Sequence, residues 1–290
     1  MHHGLLEVTV LIRSLLLLLA AGLVFSGSAA ATTWTLADGG SSATILTEFD
    51  DNEALEAGML DWSVDQTPHL FYQWFFLSYD DRGYIPVDAL GLFSEQPSNT
   101  NTDPRNETLF VEYGGPQFNE GLQVDILFSL RGFDPGIGQS DISEHIDIRN
   151  TSDEVLAISF IQYVDMDLNV FPDGDVAYRV NDNLVRQVDG GTTFEELHKT
   201  ADVGQIAFEF EILDQILIFN EGLTDEPGPL DAGDDGDVEF GVQWDVALQP
   251  GDVFSIWKNK SLEVPEPGTA ALAACGLLGL ALASRRARRI

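Results

Sequence analysis

The run that decides the fold is Val238-Glu239-Phe240-Gly241-Val242-Gln243-Trp244-Asp245-Val246-Ala247-Leu248. Val238, Phe240, Val242, Trp244, Val246 and Leu248 occupy alternate positions, with Asp237, Glu239, Gln243 and Asp245 among the residues between them. A strand turns successive side chains to opposite faces, so this pattern predicts a half-buried strand of an antiparallel sheet. Leu122, Val124, Ile126, Phe128 and Leu130 repeat it, and Leu156, Ile158, Phe160, Val164, Met166 and Leu168 share one side of a third strand. The segment from His69 to Tyr79, dense in Phe71, Tyr72, Trp74, Phe75 and Phe76, reads as a strand at the centre of a sheet.

Turn chemistry separates these strands. Asn150-Thr151-Ser152-Asp153-Glu154 reads as a hairpin loop, and Asn181-Asp182-Asn183 as a short turn requiring positive φ. Only Ala54 to Leu60 and Ile212 to Asn220 have helical character; stretches 95–107 and 221–237 read as long polar loops, and no internal repeat is present. Many short strands with Gly, Pro, Asn and Asp between them predict an all-β antiparallel sandwich over residues 32–263, of jelly-roll or super-sandwich type.

The two ends are of different character. Residues 1–31 hold Arg13, the apolar run from Leu15 to Phe25, and then Ser28-Ala29-Ala30-Ala31, the layout of a secretory signal peptide. In residues 264–290, Pro265-Glu266-Pro267 precedes a short run of small and apolar residues from Thr269 to Ala283, and Arg285, Arg286, Arg288 and Arg289 follow. The prolines hold the tripeptide extended, the apolar run forms a hydrophobic helix, and the arginines favour the cytoplasmic side. This tail resembles the PEP-CTERM sorting signal. The resemblance implies recognition by an exosortase, transient anchoring in the inner membrane with the domain outside, and delivery to the cell envelope or exopolysaccharide matrix. An ordinary single-span tail anchor is the alternative and also places the domain outside.

Setting aside Glu7, Arg13 and the four tail arginines leaves 9 Lys plus Arg against 47 Asp plus Glu, out of 14 and 48 in the whole chain. Nucleic acid is excluded as a partner, because phosphate binding needs a basic footprint. Such a surface fits a saline habitat, divalent cations or a polycationic partner. The one cysteine, Cys275, lies in the tail, so the domain has no disulfide of its own.

Asp165, Asp167 and Asn169 alternate along the third strand, and Asp173-Gly174-Asp175 follows. Hard oxygen ligands in this pattern suit Ca2+, although Val170 and Val176 break the EF-hand spacing; a solvated polar strand face is the competing reading. Asp231, Asp234, Asp235 and Asp237 form a second cluster, either a cation site or an acidic loop. His145 near Asp147, and His198 after Glu195 and Glu196, are the base-like combinations, but no nucleophile elbow, zinc-protease signature, Walker loop or dinucleotide fingerprint accompanies them. Trp62, Trp74, Trp244 and Trp257 are expected in the core, with stacking on pyranose rings as the alternative. The expectation is a non-catalytic surface or matrix protein, with Ca2+ as the candidate ion that rigidifies the sandwich and exopolysaccharide or the envelope as its partner. The competing class is a secreted carbohydrate-binding module or carbohydrate-active enzyme on the same sandwich.

Overall fold

The computed structural model describes residues 32–49, 57–80, 82–118, 121–168, 174–199, 205–209, 212–224, 228–231 and 238–265. The expected signal segment 1–31 lies outside them, as does the tail beyond Pro265, including Glu266, Pro267, Arg285, Arg286, Arg288 and Arg289. Among the described residues no helix is long and apolar enough to cross a membrane.

Strands are numbered in chain order. The first sheet runs β1 (Thr33–Asp38), β2 (Ser41–Leu46), β3 (Gly58–Val64), β5 (Tyr72–Tyr79), β11 (Leu156–Asp165), β17 (Glu239–Leu248) and β15 (Gln205–Glu209), with β4 (Thr67–Pro68) on β3 and β6 (Ile85–Pro86) on β5. The second runs β16 (Leu230–Asp231), β12 (Val176–Asn181), β13 (Leu184–Asp189), β14 (Thr192–His198), β18 (Val253–Glu263), β10 (Gln139–Asn150), β9 (Leu122–Gly132), β8 (Thr108–Gly114) and β7 (Leu92–Ser98). All pairings between these strands are antiparallel, which gives the expected sandwich. One short helix, α1 (Ile212–Leu217), falls where helical character was expected, whereas Met59 and Leu60 belong to β3.

The three alternating runs form β17, β9 and β11, and the aromatic segment forms β5 in the middle of the first sheet. Their apolar faces meet between the sheets. Phe75 stacks on Phe160 with ring centres 5.6 Å apart and lies 6.4 Å from Phe128 across the interface; Trp62 meets Phe194 edge-on at 6.3 Å. The Trp62 indole donates to Ser140 Oγ at 2.9 Å, so a buried ring also ties β3 to β10. At one rim Gly132 admits the β1–β2 turn: a Cβ there would lie 1.7 Å from the Asp38 carbonyl oxygen.

Two turn expectations are corrected. Asn150 to Glu154 joins β10 in the second sheet to β11 in the first, so it crosses between sheets and closes no hairpin. The Asn150 amide explains this, because it donates to the carbonyl oxygens of Glu154 at 2.7 Å and Leu248 at 2.9 Å, pinning the crossing to the end of β17. Asn181 to Asn183 does join paired strands, but without positive φ at those residues, and a register irregularity between Arg179 and Asn181 absorbs the bend. Residues 95–98 of the expected loop 95–107 belong to β7, paired with β8.

The interior is not wholly apolar. Glu144 on β10, Lys258 and Lys260 on β18, and Glu196 and His198 on β14 all point inward and are buried. Lys258 Nζ lies 2.5 Å from Glu144 Oε2 and 3.6 Å from Glu196 Oε1, while Lys260 Nζ lies 2.5 Å from Glu144 Oε1. Gln73 and Gln162 reach in from the first sheet, donating to Glu144 at 2.9 Å and to Glu196 at 3.0 Å. Burial alone would raise the Glu144 carboxyl; the two ammonium groups reverse this and hold it below the usual carboxylate range. Burial drives the His198 imidazole down to about 4.

Phe160→Ala is expected to cost about 3–5 kcal/mol in urea unfolding, and Phe71→Ala, at a residue 64% exposed, about 0.5 kcal/mol or less. The buried histidine gives the fold an acid dependence. Its folded-state pKa is depressed, so its contribution is complete above pH 6.5 and is lost as pH falls towards 4. Unfolding free energy should drop by about 3 kcal/mol across that window. His198→Phe should flatten it; an equal slope in that variant would remove His198 as the cause.

Candidate functional site

The alternation that turns Lys258 and Lys260 inward turns Trp257, Asn259 and Ser261 outward on the same strand. Strand pairing then lays out the outer face of the second sheet in rows. Phe110, Leu127, His145 and Trp257 form one, and Glu112, Asp125, Asp147 and Ser255 the next. On the other side of the aromatic row lie Ser129, Ser143, Asn259 and Leu197, then Arg131, Asp141, Ser261, Glu195, Arg186 and Tyr178.

Trp257 is 52% exposed, and its ring stacks on the His145 imidazole with centres 3.6 Å apart and planes at 19°. His145 Nε2 lies 3.2 Å from Asp147 Oδ1, and the Ser255 hydroxyl donates to the same oxygen at 2.5 Å. The imidazole is therefore oriented from its edge and braces the indole from its face. Ser143 Oγ donates to Asn259 Oδ1 at 3.2 Å beside it. Further along, Arg186 Nε donates to Glu195 Oε1 at 2.7 Å and Arg186 Nη1 lies 3.4 Å from the Tyr178 hydroxyl.

Two adjoining depressions mark this face. One of about 360 Å³ is lined by Tyr178, Arg186, Val188, Thr193, Glu195, Ser261 and Glu263. The other, about 290 Å³, shares Glu195 and Ser261 and adds Asp141, Leu184, Leu197, Asn259 and Lys260. The carboxyls here hold protons more tightly than usual: desolvation raises Asp125, with Asp147 adding to it, and desolvation likewise raises Glu112 and Asp141. A larger depression of about 670 Å³ lies on the outside of the first sheet, lined by Ser78, Tyr79, Asp80, Val155, Ala157, Ile158, Ser159, Asp245, Val246 and Ala247. Its one aromatic, Tyr79, is buried, so it offers no ring to a ligand. A flat exposed indole with hydroxyl, amide, carboxylate and guanidinium groups around it can take the apolar face of a planar ligand and hydrogen-bond its rim.

The sequence candidates divide. Trp62, Trp74 and Trp244 are buried, as expected, and Trp257 is not. His145 and Asp147 do meet, on the outer face. His198 and Glu196 go to the interior, 3.4 Å apart, while Glu195 faces out to Arg186. β11 ends at Asp165, so Asp167 lies beyond the strand that would have aligned the two carboxylates. Asp165 and Asp175 are buried; the Tyr163 hydroxyl donates to Asp165 at 3.2 Å, and Gln187 Nε2 bridges the Met166 carbonyl at 2.8 Å and Asp175 at 2.6 Å. Asn169 and Asp173 lie outside the described residues, as do Asp234, Asp235 and Asp237 of the second cluster. Among the described residues no three His, Cys, Asp or Glu side chains are grouped to hold a metal ion. The interior groups Glu144, Gln162, Lys258 and Lys260 went unread; the signal was present in Phe254, Ile256, Lys258, Lys260 and Leu262, which alternate as strictly as the runs that were read.

No protein-family model and no curated protein matches the chain. Among solved structures it is similar to a bacterial glucoamylase complexed with acarbose, at 8% identity and TM-score 0.53 over 85% of this chain and 36% of that one. A protein from Synechocystis sp. PCC 6803 gives 8% identity and TM-score 0.48 over 81% and 96%, and a putative aldose 1-epimerase from Escherichia coli K12 gives 10% and 0.42 over 81% and 99%. The chain spans about a third of the glucoamylase's length. At this identity the likeness to the glucoamylase shows a shared fold alone.

Proposed function

We propose that this chain is an exported carbohydrate-binding module whose binding face is the outer surface of the second sheet around Trp257. The observation that carries this is the half-exposed Trp257 ring, braced by His145 and bordered by Asn259, Ser143 and Asp147. A strand that buries Ile256 and Leu262 presents on its other face a half-exposed indole with one side against the His145 imidazole and the other open to a planar ligand. The order of the second sheet, two meanders flanking β18, favours the super-sandwich form over the jelly roll. A sandwich shared with a glucoamylase is in keeping with a carbohydrate ligand.

Export and placement at the cell surface or in an exopolysaccharide matrix rest on the signal-like segment 1–31 and the PEP-CTERM-like tail, with exosortase as the processing partner. Trp257→Ala should weaken binding to a soluble polysaccharide in calorimetry about tenfold, roughly 1.4 kcal/mol, without lowering the melting temperature. Unchanged affinity in that variant, or no binding by the unmodified chain across a glycan array, overturns the reading. A Ca2+ ion held by Asp165, Asp167, Asn169, Asp173 and Asp175 is a separate proposal: EDTA should then lower the melting temperature, and an unchanged transition removes the ion.

A further inference from the structure

The buried groups between the sheets bring an amine, a primary amide and two carboxylates together. Lys258 Nζ donates to the Gln162 side-chain oxygen, so the amine lies against the acyl group itself, whose carbon is one C=O bond further on. Glu144 Oε2 lies 2.5 Å from the same amine. Glu196 Oε2 accepts a hydrogen bond at 3.0 Å from Gln162 Nε2, the nitrogen that would have to leave, and Glu196 Oε1 lies 3.6 Å from Lys258 Nζ. The Phe75 ring lies 4.7 Å from the amine, and Lys258, Gln162, Glu144 and Glu196 are all buried. Positioned carboxyls serve as proton carriers. Holding nucleophile and acyl group together in a folded core supplies the proximity that such a reaction otherwise lacks.

We propose that Lys258 and Gln162 form an intramolecular isopeptide bond, a covalent link between β18 of the second sheet and β11 of the first. The Lys258 ammonium gives a proton to Glu196, while Glu144 keeps the amine in place. The freed amine attacks the Gln162 amide carbon, forming the Nζ–C bond. Glu196 passes its proton to Nε2; the C–Nε2 bond breaks, and the leaving ammonia takes the remaining extra proton from the new amide nitrogen and departs as ammonium. Lysine ammonium plus primary amide thus becomes secondary amide plus ammonium, with no oxidant, reductant or water consumed. Glu196 is the catalytic residue of this single event and returns to its starting state, while Glu144 is a positioning residue that holds the Lys258 amine. A domain with no disulfide of its own would gain a cross-link joining its two layers.

The test is tandem mass spectrometry on proteolytic peptides of the purified full chain. The expected result is one linked species joining the Lys258 and Gln162 peptides, lighter than their sum by one ammonia, with the separate peptides almost lost. Glu196→Gln, which keeps shape and hydrogen-bonding capacity, should slow formation of the linked species roughly a hundredfold. Separate peptides at full mass in the unmodified chain overturn the proposal, whatever the variant does. So does a link from Lys258 to Glu144 with loss of water.

Discussion

Ion pairing across β10 and β18 is the constraint on which the rest of the structure depends. Glu144 and Lys258 are direct cross-strand partners, and bringing each charge out of water costs several kcal/mol unless the other meets it. A slip of β18 by one residue against β10 would turn Lys258 and Lys260 outward and Trp257 inward, leaving Glu144 buried without its ammonium partners. Apolar side chains can repack after a slip, whereas an unpaired buried carboxylate costs several kcal/mol. The charges between the sheets therefore fix the register that places the imidazole under the indole on the far side of the same two strands.

Inside and outside are in this way parts of one arrangement. Lys258 is fixed by carboxylates and an amide, and its neighbours Trp257 and Asn259 inherit that rigidity. The outer face is correspondingly organised: His145 is oriented by Asp147, Asp147 by Ser255, and Asn259 by Ser143. A face whose polar groups are already hydrogen-bonded to one another loses little conformational entropy when a ligand settles on it.

How much of this could be read from the residues depends on whether one face of a strand is plain. β9 and β17 were legible because their inward positions are apolar almost without exception, and β5 because its aromatics fit only a central place. β18 was passed over because Lys258 and Lys260 interrupt its apolar face, so that an inward row looks polar until its partners are known. Those partners, Glu144, Glu196 and Gln162, stand 62 to 116 positions away from the two lysines, and nothing local announces them. The crossing at Asn150 was hidden for a similar reason: its five residues suit a hairpin, and only the distant Leu248 carbonyl decides between a return and a change of sheet. His145 and Asp147 were legible as a pair, being two apart on one strand face, but the indole that stacks on them comes from 112 residues later in the pairing, at Trp257.

The position of β18 has a mechanical consequence. It is bonded on one side to β10 and on the other to β14, and the chain leaves it at Glu263 towards Val264 and Pro265. Tension applied beyond Pro265 would enter the middle of the sheet, where two ladders of backbone hydrogen bonds resist together. An edge strand such as β7 would peel away one bond at a time under the same pull.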